Sequence, residues 1–244
     1  MKEISSTNNE YIKNICKLKE KKYRQQEKKF IIEGYHLVEE AKKAKVLKEL
    51  LVLKYEENYK DINQIIVNEK IIEKISSTKN PQNIIGICEI VSNNTIKGNK
   101  ILLLDNINDP GNMGTLIRSS LGFDIDTIIV SEDCVDIYNE KVVRSTQGAI
   151  FHSNIVISDD LHNSIIQLKK ENIKIIGTSL ESKIDIKNIE NIDKYAILLG
   201  NEANGVKKEL LELTDINVII KMNSKLESLN VSVAGSIMMY YLNN

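Results

Sequence analysis

Six short apolar runs in the C-terminal part of the chain constrain its fold more than any other feature. They cover residues 101–104, 127–130, 154–157, 174–178, 196–199 and 217–220, and amphipathic stretches separate them. Strands that alternate with helices form parallel sheets, and the inner strands of such sheets are apolar on both faces. The pattern therefore predicts an α/β domain on a parallel sheet, with ligand sites in loops beyond the carboxyl ends of its strands.

A smaller α/β domain is expected upstream. Short β-like runs at residues 30–32, 50–53, 64–67 and 84–90 are separated by helix-like stretches around residues 37–44 and 69–75. The polar segment that follows, residues 92–99, lacks periodicity and is typical of a linker. We assign residues 1–92 to an N-terminal domain, 93–99 to a linker and 100–244 to the C-terminal domain.

The formal net charge of −1 argues against a protein that coats nucleic acid by bulk charge, but the cations are unevenly distributed. Nine Lys or Arg face four Glu in the first 30 residues. Thr7 and Glu10 have capping-box spacing and predict a helix from about residue 7 to 28. Its spacing puts four cations on one face, which is either solvated or binds phosphate: Lys17, Lys21, Arg24 and Lys28.

Several functional classes are not expected. No run approaches the roughly 18 apolar residues of a membrane span, and the N-terminus has no apolar signal core, so we expect a cytoplasmic protein without a membrane partner. His36, His152 and His162 show no metal-ligand spacing, and we predict no metal. No G-x-G-x-x-G follows a strand, which argues against dinucleotide binding.

The first chemically unusual segment, residues 105–123, runs from a strand through a Pro-Gly turn into a helix. Met113, Ile117 and Leu121 share one helical face, which we predict to be the core side. Arg118 lies off that face, where a guanidinium is able to grip a phosphate with two hydrogen bonds. A surface salt bridge is the plainer interpretation.

The second segment, residues 196–205, is an apolar strand that opens into a loop with Gly200 and Gly205 at its ends. It is not a P-loop, because Val206 stands where the essential Lys would follow. Glu202 in this loop is a candidate to pair with an Arg or to accept a proton.

The third segment, residues 219–241, predicts a helix that begins near Ser228. Ser228, Ser232 and Gly235 give this helix a face of small residues, which suits close helix packing or a dimer contact. Asn230 in its first turn either caps the helix or contacts substrate.

Together these segments resemble the motifs of the SpoU (TrmH) family of RNA 2′-O-ribose methyltransferases. The matching residues are Asn112 to Gly114 with Arg118, Gly200 to Glu202 with Gly205, and the run from Glu227 to Ala234. Segments 143–149 and 178–180 also look like family segments, and residues 30–34 and 78–82 are similar to the family's ribosomal-protein-like RNA-binding domain. Lys221 departs from the family, which commonly has Pro there.

The resemblance implies a deep trefoil knot in the C-terminal domain, S-adenosylmethionine as cofactor, and a homodimer with the active site near its interface. The implied cofactor contacts are Thr178, Gly200, Ile220 and Leu229. The implied catalytic residues are Arg118, Asn112, Glu202 and Asn230.

Methyl transfer to a ribose hydroxyl requires an aligned oxygen that loses its proton. A guanidinium with a pKa above about 12 is a poor base, so we expect Arg118 to clamp a phosphate and stabilise the developing alkoxide. Asn112 and Asn230 would orient the ribose, and Glu202 would hold Arg118 or take the proton through water.

The separate N-terminal domain favours ribosomal RNA as the substrate. A transfer RNA methyltransferase of the same family and a non-catalytic RNA-binding protein with this fold remain alternatives. The sequence does not distinguish housekeeping modification from antibiotic resistance.

Overall fold

The structure, a computed structural model, describes residues 2–91, 95–179, 181–189 and 192–243. Ser92, residues 93 and 94 of the predicted linker, and Leu180 of the family segment lie outside this range. The described residues form two compact units. One contains the residues up to 91 together with 136–152, and the other contains 95–135 and 153–243. The stretch 136–152, placed by the sequence in the C-terminal domain, thus packs with the first unit.

The first unit is built on a five-stranded sheet in the order β1-β4-β3-β5-β2, in which β5 runs antiparallel to both of its neighbours. Its strands are β1 (Lys2–Ile4), β2 (Lys29–Glu33), β3 (Leu47–Val52), β4 (Asn63–Val67) and β5 (Ile84–Glu89). Its helices are α1 (Glu10–Lys17), α2 (Lys21–Glu27), α3 (Tyr35–Lys43), α4 (Glu69–Ile75) and, from the later stretch, α6 (Glu140–Thr146). The four predicted strands are confirmed, and so are the helices predicted around residues 37–44 and 69–75. The short β1 was not predicted.

The single N-terminal helix predicted for residues 7–28 is wrong, because the chain forms α1 and α2 with a break between them. Asn9, not Thr7, caps α1, and its side chain accepts from the N–H of Tyr11 at 2.9 Å. At Glu20 the backbone is extended (φ −97°, ψ 135°), which ends the helical hydrogen bonding. The four cations therefore do not lie on one helical face.

Arg24 shows why the chain turns here. Its side chain is 3% exposed and forms an ion pair with Asp136 at 2.5 Å. Its Nη1 also donates to the carbonyls of Leu18 and Lys19, at 2.8 and 2.7 Å, so it satisfies groups freed by the end of α1. Lys17 and Lys21 stay exposed, and Lys28 ends α2 in the left-handed region (φ 53°).

The second unit contains a six-stranded sheet in the order β11-β9-β10-β6-β7-β8, and every neighbouring pair is parallel. Its strands are β6 (Lys100–Leu104), β7 (Thr127–Ser131), β8 (Ile155–Ser158), β9 (Lys174–Thr178), β10 (Tyr195–Leu199) and β11 (Ile216–Val218). Its helices are α5 (Pro110–Gly122), α7 (Leu161–Lys170), α8 (Lys208–Leu211) and α9 (Val231–Asn243). The predicted parallel sheet is confirmed. No helix among the described residues is long and apolar enough to cross a membrane.

Helix α9 packs against α5 and the central strand β10. A Cβ on Gly235 would lie 2.6 Å from methyl carbons of both Leu116 and Leu199, so any larger residue would displace these buried side chains. The small-residue face predicted for α9 is therefore covered inside the unit, and the helix begins at Val231 rather than near Ser228. Leu121, predicted to face the core with Met113 and Ile117, is instead 40% exposed.

The contacts of Arg24 predict a large stability effect. Arg24→Met leaves the half-buried Asp136 carboxylate and two carbonyls without their donor, so we expect the free energy of unfolding to fall by about 3 kcal/mol. The exposed control Lys21→Met should change it by less than about 0.5 kcal/mol. Urea denaturation followed by circular dichroism measures both, and equal midpoints for the two variants would refute this role of Arg24.

Candidate active site

A cavity of about 870 Å³ opens in the second unit beyond the carboxyl ends of β9, β10 and β11. Its walls come from residues 178–181, 199–211 and 218–234, among those that the structure describes. All four residues predicted to contact the cofactor line it: Thr178, Gly200, Ile220 and Leu229. Glu202 and Asn230 line it as well. Its volume falls within the range of about 300–1,000 Å³ that is usual for small-molecule sites.

The loop after β10, residues 200–206, forms one wall and is tightly closed on itself. Asn201 and Gly205 exchange two backbone hydrogen bonds of 2.9 Å, and the Asn201 side chain accepts from the N–H groups of Ala203 and Asn204. A Cβ on Gly200 would lie 2.1 to 2.3 Å from backbone atoms of residues 205 and 206. Glycine at position 200 is therefore required by the close approach of the returning chain.

A hydrogen-bonded network brings together one residue from each of the three sequence motifs. Asn112 Nδ2 donates to Glu202 Oε1 at 3.1 Å, and Asn230 Nδ2 donates to Asn112 Oδ1 at 2.9 Å. Asn112 is only 8% exposed, so its amide is enclosed between the other two side chains. We call these three residues, Asn112, Glu202 and Asn230, the amide network.

Two members of the amide network, Asn230 and Asn112, lie at helix starts. The Asn230 Oδ1 accepts from the N–H of Ser232 at 2.9 Å, which caps α9, and Ser232 Oγ also donates to it at 2.6 Å. Asp109 caps α5 by accepting from the N–H of Asn112 at 2.8 Å. Of the two roles open to Asn230, capping is therefore seen directly, while its amide nitrogen donates to Asn112.

Glu202 is committed to the loop before α5. Its two carboxylate oxygens accept from the N–H groups of Asp109 at 3.1 Å and Asn108 at 3.4 Å, besides Asn112. Burial raises the pKa of Glu202, but the hydrogen bonds from Asn112 and these N–H groups outweigh it and leave the pKa below its usual value. The side chain is thus an ionised acceptor that organises the start of α5.

Arg118 lies apart from the amide network. It is exposed on α5, six residues after the buried Asn112. The hydrogen bonds of Glu202 run to Asn112 and the preceding loop, so the expectation that Glu202 positions Arg118 finds no support in its contacts. A guanidinium in this position is accessible to a bound anion.

The segment after β11 is held without the proline that the family commonly has. Residues 184–186 pair with Ile219, which exchanges backbone hydrogen bonds of 2.9 and 3.0 Å with Ile184 and Ile186. Lys221 then forms an ion pair with the buried Asp185 at 3.5 Å. Backbone pairing therefore holds the chain at Ile219, and the exposed Lys221 adds an ion pair just beyond it.

Sequence reasoning missed Asp105 and Ser232. Ser232 Oγ lies 3.3 Å from Asn112 Oδ1 and is 5% exposed, and Asp105 contacts the loop after β10. Asp105 could have been predicted from its position directly after the apolar run 101–104. A residue there lies at the carboxyl end of a strand, where parallel sheets bind ligands.

Comparison with known proteins now decides the family. The model of the SpoU rRNA methylase family matches residues 99–240, which is more than half of the chain. The chain belongs to the SpoU rRNA methylase family. Residues 9–86 match the model of an MRM3-like substrate binding domain. The resemblance inferred from the three sequence motifs is thereby confirmed.

Individual relatives of the SpoU family cover nearly the whole chain. A Bacillus subtilis protein named 23S rRNA (guanosine(2553)-2′-O)-methyltransferase RlmP is 36% identical, with 99% of each chain covered. An AdoMet-bound rRNA methyltransferase from Sinorhizobium meliloti is 28% identical, with a TM-score of 0.88 over 99% of this chain and 97% of that one. AviRb from Streptomyces viridochromogenes, at 20% identity and a TM-score of 0.88 over 97% of each chain, shares the fold.

The two glycines of the loop predict different effects on stability. Gly200→Ala forces the 205–206 backbone to move, so we expect the free energy of unfolding to fall by about 3 kcal/mol. At Gly205 a Cβ meets open space, and only the positive φ of 70° opposes it, which costs about 1 kcal/mol. Urea denaturation compares them, and equal losses would contradict the close approach at Gly200.

Proposed function

We propose that this chain is an S-adenosylmethionine-dependent RNA 2′-O-ribose methyltransferase that acts on ribosomal RNA. The observation that carries the proposal is the amide network, which joins the three motif segments beside the cavity. The full-length similarity to RlmP and to the AdoMet-bound Sinorhizobium meliloti enzyme supports both the reaction and the cofactor. We accordingly expect the protein in the cytoplasm with its substrate.

The cavity has the properties that an adenosyl group and an amino acid tail require. Val206, Ile220 and Leu229 supply apolar surface, and the glycines at both ends of loop 200–206 leave backbone groups without covering side chains. We propose that Thr178 and the loop backbone hold the polar parts of the cofactor, and that Ile220 and Leu229 contact the adenine. When bound, the cofactor would supply a methyl group from a sulfonium sulfur: the S–CH3 bond would break as the ribose oxygen forms the new bond, the sulfur would become a neutral thioether, and the hydroxyl proton would leave to water.

The protein's own contribution is to orient the hydroxyl and to stabilise charge. Asn230 lines the cavity, and its amide carries two N–H bonds, of which the one to Asn112 fixes the orientation of the group. We assign Asn230 to the ribose. Asn112 and Glu202 act through it as positioning residues, because Asn112 is buried and both Glu202 oxygens already accept hydrogen bonds.

Arg118 completes the proposed site as the group that meets the RNA. Its exposed guanidinium keeps its proton, so it suits a phosphate clamp that also stabilises the developing alkoxide. Because Arg118 is exposed and outside the amide network, we propose that it contacts the RNA and not the cofactor.

The N-terminal domain, residues 1–92, is proposed to bind the RNA, which its match to a substrate binding domain supports. Lys17, Lys21 and Lys28 remain candidates for phosphate contacts. Arg24 was proposed with them, but its side chain is 3% exposed and paired with Asp136, so we now assign it to stability.

We also propose the deep trefoil knot and the homodimer that the family resemblance implies. The match to the SpoU rRNA methylase family model over residues 99–240 supports the knot. An exposed apolar stripe on α9 supports the dimer. Between 36% and 46% of each of its three side chains is exposed: Val233, Ile237 and Tyr241.

Arg118 gives the sharpest test of the reaction. Arg118→Ala should reduce methyl transfer to ribosomal RNA by at least about 100-fold, since it removes transition-state charge stabilisation. Calorimetry with S-adenosylhomocysteine should give nearly wild-type affinity. Lys170→Ala, at an exposed lysine of α7, serves as the control for loss of positive charge. Wild-type turnover in Arg118→Ala would eliminate the assignment.

The dimer surface is tested by a single charge. Ile237→Glu places a carboxylate in the apolar patch, and burying it unpaired is costly, so we expect monomers in sedimentation velocity at micromolar concentration. Ile157→Glu, at a residue that is 50% exposed on β8, should leave the dimer intact. A wild-type protein that sediments only as a monomer would contradict the dimer proposal.

A further inference from the structure

Asp105, directly after β6, contacts both ends of the loop after β10. Its N–H donates to the carbonyl of Leu199, the residue before the loop, at 2.9 Å. Its Oδ2 accepts from the N–H of Lys207, the residue after the loop, at 3.0 Å. One residue therefore fixes the positions where loop 200–206 leaves and rejoins the rest of the unit.

The Asp105 carboxylate is buried, which is unfavourable for a charged group. Asp105 is 1% exposed, and its Oδ1 has no hydrogen-bond partner among the described residues. Lys207 Nζ lies 3.5 Å from this oxygen but is 2.9 Å from Oδ2 of the exposed Asp133. Because burying an incompletely satisfied carboxylate lowers stability, packing alone does not account for an acid at this position.

The neighbouring residue extends the same attachment. Asn201 Nδ2 donates to the carbonyl of Asn106 at 2.9 Å. The end of β6 thus holds the loop after β10 at three points, namely before it, at its second residue and after it. Between these points lie Glu202 of the amide network and the backbone that lines the cavity.

We propose that Asp105 is a positioning residue that sets the shape of loop 200–206 for cofactor binding. Its side chain closes the loop through the N–H of Lys207, and Lys207 Nζ partly balances the charge. The proposal rests on the proposed function, because it takes the cavity as the cofactor site. Asp133 is the matched comparison, since it contacts the same lysine but none of the loop backbone that Asp105 holds.

The test combines amide hydrogen exchange of loop 200–207 with calorimetry of S-adenosylhomocysteine binding. Asp105→Ala should speed exchange at Lys207 and the loop and should weaken binding by about tenfold, as expected for one charge-assisted hydrogen bond. Asp105→Asn keeps an acceptor for the Lys207 N–H and should recover most of both losses. Asp133→Asn should match the wild type in exchange and affinity.

Two results would overturn the proposal: unchanged exchange and affinity in Asp105→Ala, or an equal effect from Asp133→Asn, which would assign the role to the lysine charge. If Asp105→Ala fails to fold, Asp105→Ser takes its place, because a serine hydroxyl is too short to reach the Lys207 N–H as the carboxylate does. Unchanged exchange and affinity in that variant would equally overturn the proposal. A wild-type protein that does not bind S-adenosylhomocysteine would refute the proposed function. Hydrogen exchange of loop 200–207 would still show whether Asp105 holds the loop.

Discussion

The pairing of β6 with β10 at the centre of the parallel sheet is the constraint on which the site depends. The register aligns Leu104 with Leu199, so the two strands end side by side although 95 residues separate them in sequence. Their carboxyl ends then deliver Asp105 and Gly200 to one edge. Glu202 follows Leu199 by three residues and Asn112 follows Leu104 by eight, so both lie near this edge, which is where parallel sheets place ligands.

The hydrogen bonds of the amide network fix the polar side chains that follow these two strand ends. Asn112 is held by the cap of α5, Asn230 forms the cap of α9, and Glu202 ties the start of α5 to the loop after β10. Each side chain therefore has a structural task, and each alone reads as an ordinary cap or loop residue. Their mutual hydrogen bonds are what distinguish a site from three separate caps.

Local patterns predicted the strands well and the contacts between distant residues poorly. Apolar runs such as residues 101–104 and 196–199 identify strands because burial on both faces excludes polar residues. The break after α1 escaped prediction, since it depends on Arg24 reaching Asp136, 112 residues away. The small-residue face of α9 was recognised, but its partner was not, because periodicity does not tell an internal helix from a second subunit. Only the family resemblance placed Asn112, Glu202 and Asn230 in one site. The structure shows hydrogen bonds from Asn112 to Glu202 and from Asn230 to Asn112.

The site beside the amide network is proposed to methylate a ribose of ribosomal RNA. The decisive measurement is a map of ribose 2′-O-methylation across total RNA from cells with and without this gene. We expect a methyl group to be lost from ribosomal RNA in the deletion strain and to return when the wild-type gene is restored. A ribosomal methylation map that does not change would contradict it, and a loss confined to transfer RNA would leave the reaction standing while refuting the substrate.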